Sequence, residues 1–150
     1  MSETVVVGYD GSDGAGRALD RAIEEVKASG GTLIIAAVEY MPVDPGLAGV
    51  DNIDLTLHRE PLPLPVLEPT PELEALIARA KGRADDAGVT SDHVWGYGDP
   101  ARTIVDAARQ NAATKIFVGA DHHGFLGRLF GGDVEAAVRR EADCEVVVVE

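Results

Sequence analysis

Residues 4–26 read TVVVGYDGSDGAGRALDRAIEEV. Thr4–Tyr9 is a continuous apolar run rich in β-branched residues, the pattern of a strand buried on both faces of a sheet. Beyond Asp10-Gly11-Ser12 the period changes. Ala18, Ala22, Ile23 and Val26 recur at helical spacing, with Ser12 or Asp13 placed to cap the helix start and Gly30-Gly31 to end it. Thr32–Val38 (TLIIAAV) then supplies a second buried strand. A buried strand, an amphipathic helix and another buried strand form one unit of a parallel sheet, so the fold turns on whether the alternation persists.

It persists to the end of the chain. Thr70 and Pro71 open a helix over TPELEALIARAKGRADDAG, as a capping residue followed by proline at the first helical position should. Asp92–Tyr97 (DHVWGY) is a weaker third strand, and Pro100 opens the next helix, PARTIVDAARQNA. Lys115–Gly119 is the fourth strand, Val134–Glu141 the last helix, and Cys144–Val149 the fifth strand. The expectation is one α/β domain over residues 1–150, a five-stranded parallel sheet with helices on both faces. Right-handed crossovers favour the strand order 3-2-1-4-5. Ligands in such sheets bind beyond the carboxyl ends of the strands, at the switch point between the first and fourth. One stretch breaks the pattern. Residues 40–71 hold all but one of the 8 prolines and form a connection too long to be ordinary.

Composition narrows the function. Of the 150 residues, 26 are acidic and 13 basic, a formal net charge of −13 that repels nucleic acid and anionic membrane alike. Arginine outnumbers lysine, a surface compatible with high salt and equally with an ordinary acidic cytosolic protein. The single cysteine, Cys144, excludes an intrachain disulfide and sits in an apolar run as a small core residue. No apolar run reaches the roughly 18 residues of a membrane helix, so the expected location is the cytoplasm.

The loop that follows the fourth strand carries the most chemistry. Val118–Asp133 reads VGADHHGFLGRLFGGD. With VVVGYDGSDGAGRALDRAI at the start, GDPARTIVDAA in the third quarter and the terminal CEVVVV, its spacing makes the chain resemble the universal stress protein family over nearly its whole length. The resemblance implies a Rossmann-like, adenine nucleotide alpha hydrolase-like α/β fold, a homodimer and a role in stress survival. Many members bind ATP or another adenine nucleotide through a loop of glycine, two residues, glycine, nine residues, glycine and a hydroxyl residue. On this chain those positions fall on Gly119, His122, Gly132 and Asp133, so two of the four depart from the pattern. The resemblance also places Asp10, with Gly11 and Ser12 beside it, near the adenosine moiety, and the backbone of Val38 against the adenine ring.

The departures matter physically. A serine or threonine donates to phosphate, whereas an ionised Asp133 only accepts. A carboxylate about 5 Å from a phosphate charge opposes it by roughly 3 kcal/mol per pair at an effective dielectric near 20. Bridging magnesium reverses that sign. Without a ligand, Asp133 serves as N-cap of the helix that follows. His122 adds bulk where glycine allows close approach, though an imidazolium would pair with phosphate. His122 and His123 are adjacent and lack further ligands, so no metal site is expected. Gly124, Gly127 and Gly131 keep the loop open to anions through backbone amides, and Arg128 is its one cation.

Two functions of different class follow. One is a stress-linked regulatory or binding protein whose nucleotide loop is degenerate, which binds no nucleotide and acts through its surface on an unidentified protein partner. The other is an adenine-nucleotide sensor for ATP or AMP with magnesium, using Asp10, Val38, Gly119, Gly127 and Gly132. No nucleophile–histidine–acid arrangement is legible, and slow nucleotide hydrolysis lacks a nameable base. The run Val146, Val147, Val148, Val149 lies on an edge strand with no proline or lysine, an aggregation hazard unless a second copy covers it. A homodimer built on that strand is therefore expected.

Overall fold

The structure, a computed structural model, describes residues 3–39, 68–120 and 134–150. Its elements run β1 (Thr4–Gly8), α1 (Asp13–Ser29), β2 (Thr32–Glu39), α2 (Pro71–Asp86), β3 (Thr90–Tyr97), α3 (Pro100–Gln110), β4 (Lys115–Gly119), α4 (Val134–Glu141) and β5 (Glu145–Val149). All five strands are parallel, in the order β3-β2-β1-β4-β5. The expected topology is thus the observed one. Boundaries moved by a residue or two: β1 stops before Tyr9, β2 runs on to Glu39, β3 starts at Thr90, and β5 starts after Cys144.

Side-chain alternation along the strands builds two cores. Val5, Val7, Leu33, Ile35 and Phe117 face α1 and α2, meeting Ala18, Leu19, Ala22 and Val26 of the first helix and Ala80 and Ala84 of the second. Val6, Ile34, Ala36, Ile116 and Val118 face the other way, onto Ile104, Val105 and Ala108 of α3 and Val138 of α4. The central strand β1 is buried on both sides, as its unbroken apolar run requires: Val5, Val6 and Val7 are each 0% exposed. Strand β3, at an edge, carries exposed Asp92 and His93, which is why its sequence pattern is weaker.

Caps fix the helices at the carboxyl edge of the sheet. Ser12 Oγ accepts from Ala15 N–H at 3.2 Å, Thr70 Oγ from Leu73 N–H at 3.2 Å, and Asp99 Oδ1 from Arg102 N–H at 3.3 Å. Gly30 ends α1 in the left-handed conformation, φ 71°. At the opposite edge Lys115 pairs with Glu25 and lies 3.9 Å from Glu3, tying β4 to α1 and to the start of the chain.

Cys144 is half-buried and leans on the second core, less enclosed than its sequence setting suggests. Burial, then the Asp143 charge, raises its thiol pKa, which disfavours the thiolate. Among the valines of β5, Val149 is already buried within the single chain, whereas Val146, Val147 and Val148 are half-buried. Only the last three therefore have apolar surface left to cover.

Leu19 of α1 is fully buried in the first core. Leu19→Ala is expected to cost about 2–5 kcal/mol, measured as a lowered denaturation midpoint with an unchanged slope in urea.

Candidate functional site

Strand register creates a notch at the carboxyl edge. The β1–β2 ladder ends at Gly8↔Ala36, with one further bond from Tyr9 N–H to Ala36 O at 2.9 Å. Strand β2 continues through Ala37, Val38 and Glu39, still paired with β3 up to Glu39↔Tyr97. On the other side the β1–β4 ladder ends at Val7↔Phe117, while β4 continues beside β5 to Gly119↔Val149. Ala120 N–H donates to Val149 O at 2.9 Å and extends that wall. The central strand is thus the shortest at this edge, and its two neighbours stand proud of it.

Residues of a parallel strand turn their peptide groups alternately to either neighbour. Ala36 faces β1, since its carbonyl receives Tyr9 N–H, and Glu39 faces β3, since its carbonyl receives Gly98 N–H at 3.3 Å. Val38 therefore turns its N–H and C=O toward β1, beyond the last rung. The backbone of Val38 forms one wall of the notch and Gly119–Ala120 form the other.

The floor is the turn Tyr9–Ser12. Ser12 N–H donates to Asp10 Oδ1 at 2.9 Å, closing an Asx turn, and Gly11 takes φ +81°, which its missing side chain permits. Asp10 and Gly11 are exposed and Ser12 is half-buried. Of the two capping candidates named from sequence, Ser12 is the cap and Asp13 the acidic residue of the first turn.

Gly119 has a structural duty of its own. A Cβ there would lie 2.5 Å from the Gly14 carbonyl carbon and 2.6 Å from its oxygen. Strand β4 and the first turn of α1 meet backbone to backbone, and no side chain fits between them.

The structure brings Asp10, Gly11, Ser12, Val38 and Gly119 to one edge of the sheet. His122, Gly127, Gly132 and Asp133, with His123 and Arg128, lie outside the described residues, as does most of the proline-rich stretch. Helix α4 starts at Val134, the residue after Asp133. Among the described residues no group of three or more His, Cys, Asp or Glu is placed to hold a metal.

Two residues of this edge escaped the sequence reading. Glu39 takes Thr70 N–H at 3.1 Å and Thr70 Oγ–H at 2.9 Å on its carboxylate, pinning the start of α2 to the end of β2. Its partner is 31 positions away, and no local signal links them. Asp99 caps α3, and the Asp99-Pro100 pair was a legible cap signal. Besides Cys144, two groups at the far, amino edge have displaced pKa values. The Asp143 carboxylate, hydrogen-bonded at 2.7 Å, raises Arg109, and hydrogen bonding to Glu25 raises Lys115.

The universal stress protein family matches residues 1–150. The chain belongs to that family. A curated universal stress protein of Thermus aquaticus is 33% identical over 149 residues, 99% of each chain. A universal stress protein solved in complex with cAMP is 29% identical, with TM-score 0.67, covering 99% of this chain and 96% of the other. The universal stress protein of Archaeoglobus fulgidus in complex with dAMP shares the fold at 19% identity and TM-score 0.63, covering 100% and 98%.

If Gly119 is required by its contact with Gly14, Gly119→Ala should lower stability by about 1–3 kcal/mol without any ligand present. Thermal unfolding of the ligand-free protein reads this; an unchanged midpoint would remove the contact as the reason for glycine.

Proposed function

We propose that this universal stress protein is a stress-linked binding protein that seats the adenosine portion of an adenine nucleotide in the notch above β1. The early end of β1 carries this reading, because it turns the Val38 peptide groups into the notch opposite Gly119. Backbone N–H and C=O side by side match the donor–acceptor edge of an adenine ring, and Asp10 with Ser12 offers polar groups for a ribose. The cAMP complex of a relative 29% identical over nearly the full chain supports the same ligand class. ATP or AMP with magnesium remains the ligand set to test, and the phosphate side of the site is the weaker side: His122 and Asp133 replace a glycine and a hydroxyl. The cytoplasm is the proposed location; among the described residues no helix is long and apolar enough to cross a membrane.

Calorimetry with ATP and magnesium tests the phosphate side. Binding no tighter than about 100 μM is expected, and His122→Gly combined with Asp133→Ser should strengthen it. A low-micromolar isotherm for the native chain would reject the degenerate loop.

The second half of the proposal is a homodimer through β5. This strand forms one edge of the sheet, so among the described residues no strand pairs with one row of its backbone groups. A copy related by two-fold symmetry pairs with it antiparallel and covers Val146, Val147 and Val148. Val147→Pro removes a backbone donor. Light scattering should then report a dimer for the native chain and a monomer or aggregate for the variant; a monomeric native chain at micromolar concentration defeats the proposal.

A further inference from the structure

The carboxyl edge of the sheet is acidic: Asp10, Asp13, Glu39, Glu68, Asp99 and Glu150 fall there, after the strands or at the helix starts. The cations nearest in sequence lead away from it. Arg102 turns down α3 to Asp106, at 3.9 Å, and Arg17 lies beyond the first turn of α1.

Helix starts normally draw anions to such an edge. At α1, α2 and α3 the protein's own oxygens already cap them. Ser12, Thr70 and Asp99 take the capping amides, while Asp13, Glu72 and Glu74 add negative charge to the first turns of α1 and α2. The attraction that phosphate would find at these three starts is reduced, and the repulsion from the rim remains.

We infer that the notch selects its adenine ligand by net charge, favouring a neutral nucleoside or a singly charged cyclic monophosphate over a polyphosphate. The inference rests on the adenosine reading above and names the ligand class within it. The rim acts through space, so the selection is set by ionic strength as well as by contact. At about 0.15 M salt the screening length is about 8 Å, and at 1 M it falls to about 3 Å. A charged rim is felt across the notch in the first condition and largely masked in the second.

The test is calorimetric titration with adenosine, cAMP, AMP and ATP, each with chelator and no divalent cation, at low and at high sodium chloride. Affinity is expected to fall as ligand charge rises, with ATP at least about tenfold weaker than adenosine at low salt and the gap shrinking at least about threefold at high salt. The double variant Asp13→Asn with Asp99→Asn removes two rim charges; asparagine caps as well as aspartate, so α3 keeps its start. This variant should narrow the low-salt gap and leave adenosine affinity unchanged, with circular dichroism confirming its fold. ATP binding as tightly as adenosine at low salt overturns the inference and leaves the adenosine reading standing. A gap indifferent to salt and to the double variant also overturns it. Failure of all four ligands to bind overturns the adenosine reading itself.

Discussion

Strand β4 and helix α1 touch backbone to backbone at Gly119 and Gly14, and the geometry of the carboxyl edge depends on that contact. Because nothing separates them, the first turn of α1 is anchored to β4 directly. The preceding turn, with its Asp10–Ser12 hydrogen bond, lies between β1 and that anchored helix start. The chain leaves the sheet after Gly8, whereas β2 and β4 keep their outer partners β3 and β5 and run on. A notch in a sheet exposes peptide groups that would otherwise pair, and such groups are costly unless water or a ligand meets them. The fold therefore leaves unpaired peptide groups at the centre of its carboxyl edge.

The same strand explains why the notch is rigidly framed. Val5, Val6 and Val7 feed two separate cores, one under α1 and α2 and the other under α3 and α4. A shift of one residue in β1 would exchange these faces along its length. Register is thus held by packing on both sides of the sheet, and so are the positions of Val38 and Gly119 relative to the end of β1. At the amino edge the Lys115 pairs with Glu25 and Glu3 fasten the other end of the same strands.

The fold was largely legible because each element declares itself locally. TVVVG and TLIIAAV are unbroken runs, and the helices between them carry caps and a 3.6-residue period. Strand β3 was the weakest reading, because an edge strand with Asp92 and His93 exposed loses the buried-run signature. For the site, the placing of Asp10, Gly11, Ser12, Val38 and Gly119 at one edge was legible, since topology alone carries strand ends there. What sequence did not convey was why. Gly119 reads as a ligand-loop glycine, yet its Cβ is excluded by Gly14, more than a hundred positions earlier. Glu39 drew no notice, since its role lies in reaching Thr70 across the longest connection in the chain. Contacts of that range leave no period, cap or turn signature in the residues that make them.

That last contact has an architectural consequence. Glu39 grips both polar atoms of Thr70, and Tyr97 OH donates to the Glu68 carbonyl at 3.3 Å. The two ends of a long connection are therefore stapled at its base by residues that belong to β2, to β3 and to the cap of α2. Once the ends of a connection are fixed, lengthening it adds only about 0.6 kcal/mol of closure entropy for each doubling. The two anchors thus decide where the chain leaves β2 and where it enters α2, so the carboxyl edge keeps its exit and entry points fixed at Glu39 and Thr70.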